Sequence, residues 1–222
     1  MSKVIIIGAG GHAAEISDYI HHHEVTASSK SLEIAGFLDD KSENYLRYRF
    51  PEPLLGSIAS HVVRQDVCYI MGIANLAYRR PIIERFLAEE AEFATFIHPS
   101  ALVSRTARIG KGVVVAPNVN IGPNVNIGNF NLLNARCSMG HDTIVGNYNF
   151  ISPNVCFSGF TEIGDENLFG INSSTIPGIK VGSRNKIAAG MVLDKPVGDD
   201  AVVFYRFKEN VMAIPRDYLV RN

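Results

Sequence analysis

Ile97, Val103, Ile109, Val115, Ile121, Ile127, Leu133, Met139, Val145, Ile151, Phe157, Ile163, Phe169, Thr175, Val181, Ile187 and Leu193 stand six residues apart, and Thr175 is the one member of the series that is not apolar. Ile176 stands beside it. The residue after each marker is often glycine, as at Gly110, Gly122, Gly128, Gly140, Gly146, Gly164, Gly170 and Gly182, and the position four after it is small or medium-sized, as at Ala107, Val113, Val119, Val125, Cys137 and Val155. A period of six fits neither the helical repeat nor the alternation of a plain hairpin over such a length. It fits a parallel β-helix, whose short strands each point one large aliphatic inward while the glycine-rich residues that follow turn the corner. Each turn leaves strand edges and an apolar face bare, and the next turn covers both, so stability accumulates between neighbours.

Around that tract the composition is ordinary. At 222 residues and 46% hydrophobic content the chain suits one large or two small domains with ample material for a core. A formal net charge of -1 gives no electrostatic case for binding nucleic acid or an anionic membrane. Cys68, Cys137 and Cys156 are odd in number and contain no CxxC pair, so they read as reduced, half-buried thiols of a cytoplasmic protein and not as a disulfide frame or zinc site. No apolar run approaches the length of a membrane span, and Lys3-Val4-Ile5-Ile6-Ile7 runs into glycine without a signal-peptide cleavage region.

Ahead of the repeats, Val4 to Ile7 is an unbroken β-branched run that ends in Gly8-Ala9-Gly10-Gly11-His12-Ala13, and Ala14 to Ile20 follows with helical spacing. In this strand, glycine turn and helix the glycines let the backbone approach a phosphate, and the helix N-terminus offers unpaired N–H groups and a partial positive charge. The turn matches the G-x-G-x-x-A form of a dinucleotide fingerprint. A second strand over Glu33 to Leu38 delivers Asp39 and Asp40 at its carboxyl end, where an acid can accept hydrogen bonds from a ribose. Val67 to Met71 predicts a third strand leading to Gly72-Ile73-Ala74-Asn75, Ala77 to Ala91 a helix with Arg79 and Arg80 in its first turn, and Phe93 to Ile97 a fourth strand feeding the β-helix. Only about ninety residues precede the repeats, so a full doubly wound NAD domain has no room and a mononucleotide fits better. A structural cap with no ligand remains the alternative, because glycine-rich first turns also serve helix packing.

The expected organisation is therefore a small βαβαβ, Rossmann-like unit over 1–95, a β-helix over 96–195 and a tail over 196–222. His21-His22-His23, at the end of the first predicted helix, point in different directions and read as solvated side chains favoured by the helix dipole, not as a chelate. His141 matters more. It stands two residues after Met139, past a glycine, at a place that other repeats fill with Arg105, Lys111, Asn129, Asn147 and Asp165, so the register directs it outward. A neutral imidazole takes up a proton near neutral pH, and a nearby carboxylate fixes its tautomer. Adjacency alone does not decide whether Asp142 does this, because neighbours in a strand face opposite ways.

The tract resembles the left-handed β-helix of the hexapeptide-repeat acyltransferases, in which three hexads make one triangular coil. Over nearly all of residues 1 to 195 the chain resembles the nucleotide-amino-sugar N-acetyltransferases and sialic-acid-type O-acetyltransferases of bacterial glycan assembly, through the glycine turn, Phe37-Leu38-Asp39-Asp40 and the His141-Asp142 pair. The best match is the branch that acetylates the 4-amino group of nucleotide-linked 4-amino-4,6-dideoxy sugars. That resemblance implies a homotrimer with active sites between neighbouring β-helices, acetyl-CoA as co-substrate and no metal. It implies His141 as general base with Asp142 and Asn134 beside it, and Gly159 at the thioester carbonyl. Acetyl-CoA would lie in a groove lined near Gly159, Gly170, Ile171, Ala189 and Gly190. The nucleotide-linked amino sugar would take Gly8, Gly10, Gly11, His12, Asp39, Asp40, Gly72 and Arg79, with its sugar aimed at His141.

The chain departs from that family at two places. A histidine that some members carry nine residues after the base is Phe150 here, and the usual terminal Gly-x-Pro-Ala motif is replaced by Val202-Val203-Phe204-Tyr205-Arg206-Phe207-Lys208. We read this tail as a plug for the open end of the coil in preference to an adenine-binding segment. A β-helical carbonic anhydrase needs three zinc-binding histidines, and the repeats contain only His98 and His141. The short first domain argues against a nicotinamide oxidoreductase. A non-catalytic assembly module is a further alternative, and an O-acetyltransferase of a sialic-acid-type hydroxyl is the main rival, since amine and hydroxyl accept help from the same base.

Overall fold

The computed structural model describes residues 2–26 and 32–205. Its first unit is built from β1 (Ser2–Ile7), α1 (Gly11–Thr26), β2 (Leu32–Leu38), α2 (Ser42–Leu46), β3 (Leu54–Gly56), β4 (Cys68–Met71), α3 (Leu76–Ala88) and β5 (Glu92–Phe93). The five strands form one parallel sheet in the order β3-β2-β1-β4-β5. Central β1 explains the unbroken apolar run, because a parallel strand covered on both faces needs no polar alternation. Val4 and Ile6 pack with Ala13, Ile16 and Ile20 of α1, whereas Ile5 and Ile7 pack with Ile83 and Phe86 of α3.

The strand expected over Phe93 to Ile97 is two. β5 closes the first sheet, and β6 (Phe96–Ile97) begins the coil, the chain changing partner between the Ala94 N–H, which donates to Tyr69 O, and the Phe96 N–H, which donates to Val113 O. The short α2 and β3 escaped the sequence reading because neither is long enough to show a period.

From β6 onward every strand is two residues long, and up to Val192–Leu193 each pairs in parallel with the strand eighteen residues away, as in Leu132 with Phe150, Ser138 with Cys156 and Ile144 with Glu162. Three hexads thus make one coil of a left-handed β-helix, as expected. We name the three sheets by their order in the coil. The first face contains Phe96–Ile97, Leu132–Leu133 and Phe150–Ile151, the second Leu102–Val103, Ser138–Met139 and Cys156–Phe157, and the third Arg108–Ile109, Ile144–Val145 and Glu162–Ile163. The apolar marker residues from Val103 onward fill the prism together with Val113, Val119, Val125, Cys137 and Val155.

Two features of the coil correct the sequence reading. From Ile109 to Ile187 the left-handed corner residue stands three after each marker, not at the glycine directly after it: Asn118, Asn124, Phe130, Arg136, Asp142, Tyr148, Asn154, Phe160, Glu166, Asn172 and Arg184 all have φ near +60°. The recurrent glycines answer a different need, for a Cβ on Gly140 would stand 2.5 Å from the backbone nitrogen of Gly159 in the next coil. The interior is also not wholly apolar. Asn131, Asn149, Asn167 and Asn185 form a ladder down the edge between third and first faces, each Oδ1 accepting the backbone N–H of the next asparagine. The Asn149 amide also donates to Asn131 Oδ1 at 3.0 Å and to Gly164 O at 3.0 Å, so these buried polar groups satisfy one another, whereas Asn185 Nδ2 on the last rung has no partner among the described residues.

The first unit sits on the first face. Phe96, Val114 and Leu132 point outward from the coil yet are buried among residues of α1 and the first sheet, and Phe93 meets Phe130 edge to face at 5.2 Å. His22 stacks on His98 at 5.5 Å and His21 pairs with Glu52 at 2.8 Å, so neither is the merely solvated side chain expected; the His23 side chain lies outside the described residues. The expected tail first continues the coil: Val197 bridges to Val181 and Val202–Val203 pairs with Lys186–Ile187. Arg206, Phe207 and Lys208 lie outside the described residues. The thiols differ from one another, with Cys137 buried, Cys68 intermediate and Cys156 exposed. No described helix is long and apolar enough to cross a membrane.

Candidate active site

His141 stands on the edge between the second and third faces, on the corner that follows Ser138–Met139. Asp142 occupies the left-handed corner position, with φ of 57°. That conformation bends its side chain back, and Asp142 Oδ2 lies 2.8 Å from His141 Nδ1. Adjacency could not decide this pairing because the two residues belong to a turn and not to a strand. Asn124, one coil earlier on the same edge, donates to the other carboxylate oxygen at 3.1 Å. These hydrogen bonds, that from His141 foremost, hold the Asp142 carboxyl below the usual carboxylate range. An anionic carboxylate at Nδ1 favours the tautomer that carries its proton there and leaves Nε2 as the basic nitrogen.

The imidazole is otherwise open, with its side chain 57% exposed. Phe160 packs edge-on to it at 5.0 Å and 88°. Gly159, one coil above, approaches so closely that a Cβ there would lie 2.8 Å from Cε1 and Nε2 of His141. Among the described residues nothing accepts the Gly159 N–H, and it stands beside the ring as a free donor. Asn124 and Phe160 were missed by sequence reasoning. The eighteen-residue spacing 124, 142, 160 was the signal that places all three on one corner.

Asn134 is elsewhere. It turns the edge between first and second faces, where its Oδ1 accepts the Ala135 N–H at 2.8 Å. Gly170, Ile171, Ala189 and Gly190 stand on that same edge in later coils, the Gly190 N–H donating to Ile171 O. Within one chain the expected site residues of the coil therefore lie along two edges, separated by the width of the second face. His141 also stands on the edge opposite the first face, which carries the α/β unit.

In the α/β unit, Gly8, Gly10, Gly11, His12, Asp39, Asp40 and Gly72 line one cavity of about 530 Å³, joined by Lys41, Asn44, Ile58, Ile73, Ala74, Asn75, Tyr78 and Ile82. The N-terminus of α1 opens onto it, as the glycine turn predicted. The carboxylates, expected as free ribose acceptors, are engaged by the loops. Asp39 accepts the Ala9 and Lys41 N–H groups, each at 2.8 Å, and the Asn44 amide at 3.0 Å. Asp40 accepts the Ser57 hydroxyl and the Ala59 N–H, which hold its carboxyl below the usual range. His12 directs Nδ1 toward Glu15 at 3.2 Å, while its buried Nε2 has no hydrogen-bond partner among the described residues. Arg79 is not in the cavity. It is 1% exposed, because it faces the coil from α3 and donates to Ile73 O and Phe130 O. No group of three metal-binding side chains occurs among the described residues.

Residues 3–86 match the family described as the PglD N-terminal domain. A UDP-N-acetylbacillosamine N-acetyltransferase of Bacillus subtilis (strain 168) is 31% identical over 119 residues, which cover 52% of this chain and 51% of the relative. The match spans about half the length of that curated relative. Among solved structures, the acetyltransferase domain of PglB from Neisseria gonorrhoeae FA1090 in complex with acetyl coenzyme A superposes with a TM-score of 0.76 at 26% identity, covering 90% of this chain and 95% of that one. PerB from Caulobacter crescentus in complex with CoA and GDP-perosamine shares the fold with a TM-score of 0.75 at 22% identity, over 91% of this chain and 93% of that one. Residues 3–86 thus match the PglD N-terminal domain family, and with the left-handed β-helix that follows them the chain is similar over most of its length to the acetyltransferase domain of PglB.

Proposed function

We propose that this protein transfers the acetyl group of acetyl-CoA to the 4-amino group of a nucleotide-linked 4-amino-4,6-dideoxy sugar, with His141 as general base. The observation that carries this reading is the open corner where a carboxylate-held imidazole stands against the free N–H of Gly159. His141 Nε2 takes a proton from the sugar amine as its nitrogen attacks the thioester carbonyl carbon. The new C–N bond forms, the Gly159 N–H donates to the developing oxyanion, and collapse breaks the C–S bond to release CoA, which takes up the proton from the imidazolium. Asp142 keeps the ring oriented and stabilises its charged form. The acetyl-CoA-bound relative of known structure and the bacillosamine acetyltransferase support this chemistry.

The separation of the two edges supports a homotrimer. Asn134, Gly170, Ile171, Ala189 and Gly190 on one edge and His141 and Gly159 on another form one groove only when a second copy lays its first–second edge along the second–third edge of the first. The same arrangement carries the α/β cavity of one protomer toward the imidazole of its neighbour. The test is thiol release from acetyl-CoA with UDP-, GDP- and dTDP-linked 4-amino sugars, followed by mass analysis of the product. Release that depends on one such sugar and yields the amide is expected. Release only with a sugar hydroxyl, or none with any sugar, contradicts the proposal.

A further inference from the structure

Arg79 is the largest fully buried side chain described. Its Nη1 donates to Ile73 O at 2.8 Å and its Nη2 to Phe130 O at 3.1 Å, while Nε is buried without a partner. Among the described residues no carboxylate pairs with it. A buried charge normally comes with its opposite, because leaving water uncompensated is costly. Burial pushes this guanidinium down to about 10, so it is still cationic at neutral pH.

Ile73 links that cation to the cavity, since its carbonyl accepts from Arg79 and the residue lines the nucleotide site. The lining itself is net negative, with Asp39 and Asp40 against Lys41. A nucleoside diphosphate adds more negative charge. The α1 N-terminus offsets part of this, and a cation behind the wall offsets more, because field in a medium of low polarity reaches past one residue. Building on the proposed nucleotide-sugar site, we infer that Arg79 is a positioning residue for the diphosphate: its buried, carboxylate-free guanidinium lends the cavity positive potential through the Ile73 wall and fixes that wall against the coil corner at Phe130. The ligand then supplies the counter-charge that the fold leaves out.

Affinities of UDP, UMP and uridine for wild type, Arg79→Met and Arg79→Lys test this, by calorimetry for the nucleotides and ligand-observed NMR titration for the nucleoside. GDP, GMP and guanosine form a parallel series. In Arg79→Met the diphosphate should lose about ten- to thirtyfold, the monophosphate less and the nucleoside under about twofold, in order of charge. Arg79→Lys keeps the charge without the two-pronged hydrogen bonding, so it should restore most of the diphosphate affinity, and it covers the case in which Arg79→Met does not fold. Equal loss for all three ligands, or Arg79→Lys binding no charge series, overturns the inference while leaving the site intact. A wild type that binds none of UDP, GDP and dTDP overturns the functional reading and this inference with it.

Discussion

Gly159→Ala separates the chemistry from the scaffold. The new Cβ would stand 2.8 Å from Cε1 and Nε2 of His141. Non-bonded heavy atoms rest about 3.5–4.0 Å apart, so the ring must retreat by roughly 0.7 Å or more. Because the His141 side chain is 57% exposed, it can swing away at little cost, and stability should change by less than about 1 kcal/mol. The base, however, leaves its position, and a misplacement near 1 Å costs up to about 10²-fold in rate. We therefore expect kcat to fall roughly ten- to a hundredfold in the thiol-release assay with an unchanged melting temperature. Gly140→Ala is the control, for its Cβ meets the Gly159 backbone nitrogen at 2.5 Å and no side chain can yield. That variant should lose about 1–3 kcal/mol of stability. Full turnover in Gly159→Ala, or a loss of stability equal to that of Gly140→Ala, would refute the placement of the ring.

Other perturbations follow from the same geometry. Asn149→Leu removes the side-chain amide that serves Gly164 O, the Asn167 N–H and the Asn167 amide and leaves Asn131 Oδ1 only the residue 149 backbone N–H; on the order of 3–5 kcal/mol should be lost, read as a fall in melting temperature of about 10 °C. Asp142 has its carboxyl depressed by its hydrogen bonds from His141 and Asn124, so it stays ionised above and somewhat below the usual carboxylate range and loses its charge only as pH falls further. The acid limb of the pH–rate profile should accordingly show one proton and not two, and Asp142→Asn should lower kcat with little change in KM; a two-proton limb contradicts this. Cys156 lies on the outward side of the second face, so a thiol reagent should modify it in dissociated protomers and spare it in the proposed trimer, while buried Cys137, pushed up to about 12, stays silent in both. Equal labelling of Cys156 in both states argues against packing across that face.

The coil was legible because its marker residues repeat without a gap from Ile97 to Leu193, and stacking forces every coil to obey the same spacing. The first sheet was legible through Val4 to Ile7 and the glycine turn, since a central parallel strand and a helix N-terminus each impose composition. What stayed hidden depends on relations across coils. The sense of the corner residues is invisible in composition, because asparagine, phenylalanine, arginine and aspartate all adopt the left-handed conformation there, sustained by the stack. The buried asparagine ladder breaks the rule that interiors are apolar. Arg79, at a helix start, is assigned to the nucleotide-sugar site by the family resemblance, and only the packing of α3 against Phe130 turns it inward. Asp39 and Asp40 reach the expected cavity, but the loop after β2 and the segment after β3 claim their oxygens.

The most direct measurement is turnover by His141→Ala, with acetyl-CoA affinity, nucleotide affinity and oligomeric mass measured on the same preparation. Loss of the base should lower kcat by about 10²–10⁴-fold while binding and assembly are retained. Turnover close to wild type in a correctly assembled variant would contradict the account, since the base would then be a group other than His141.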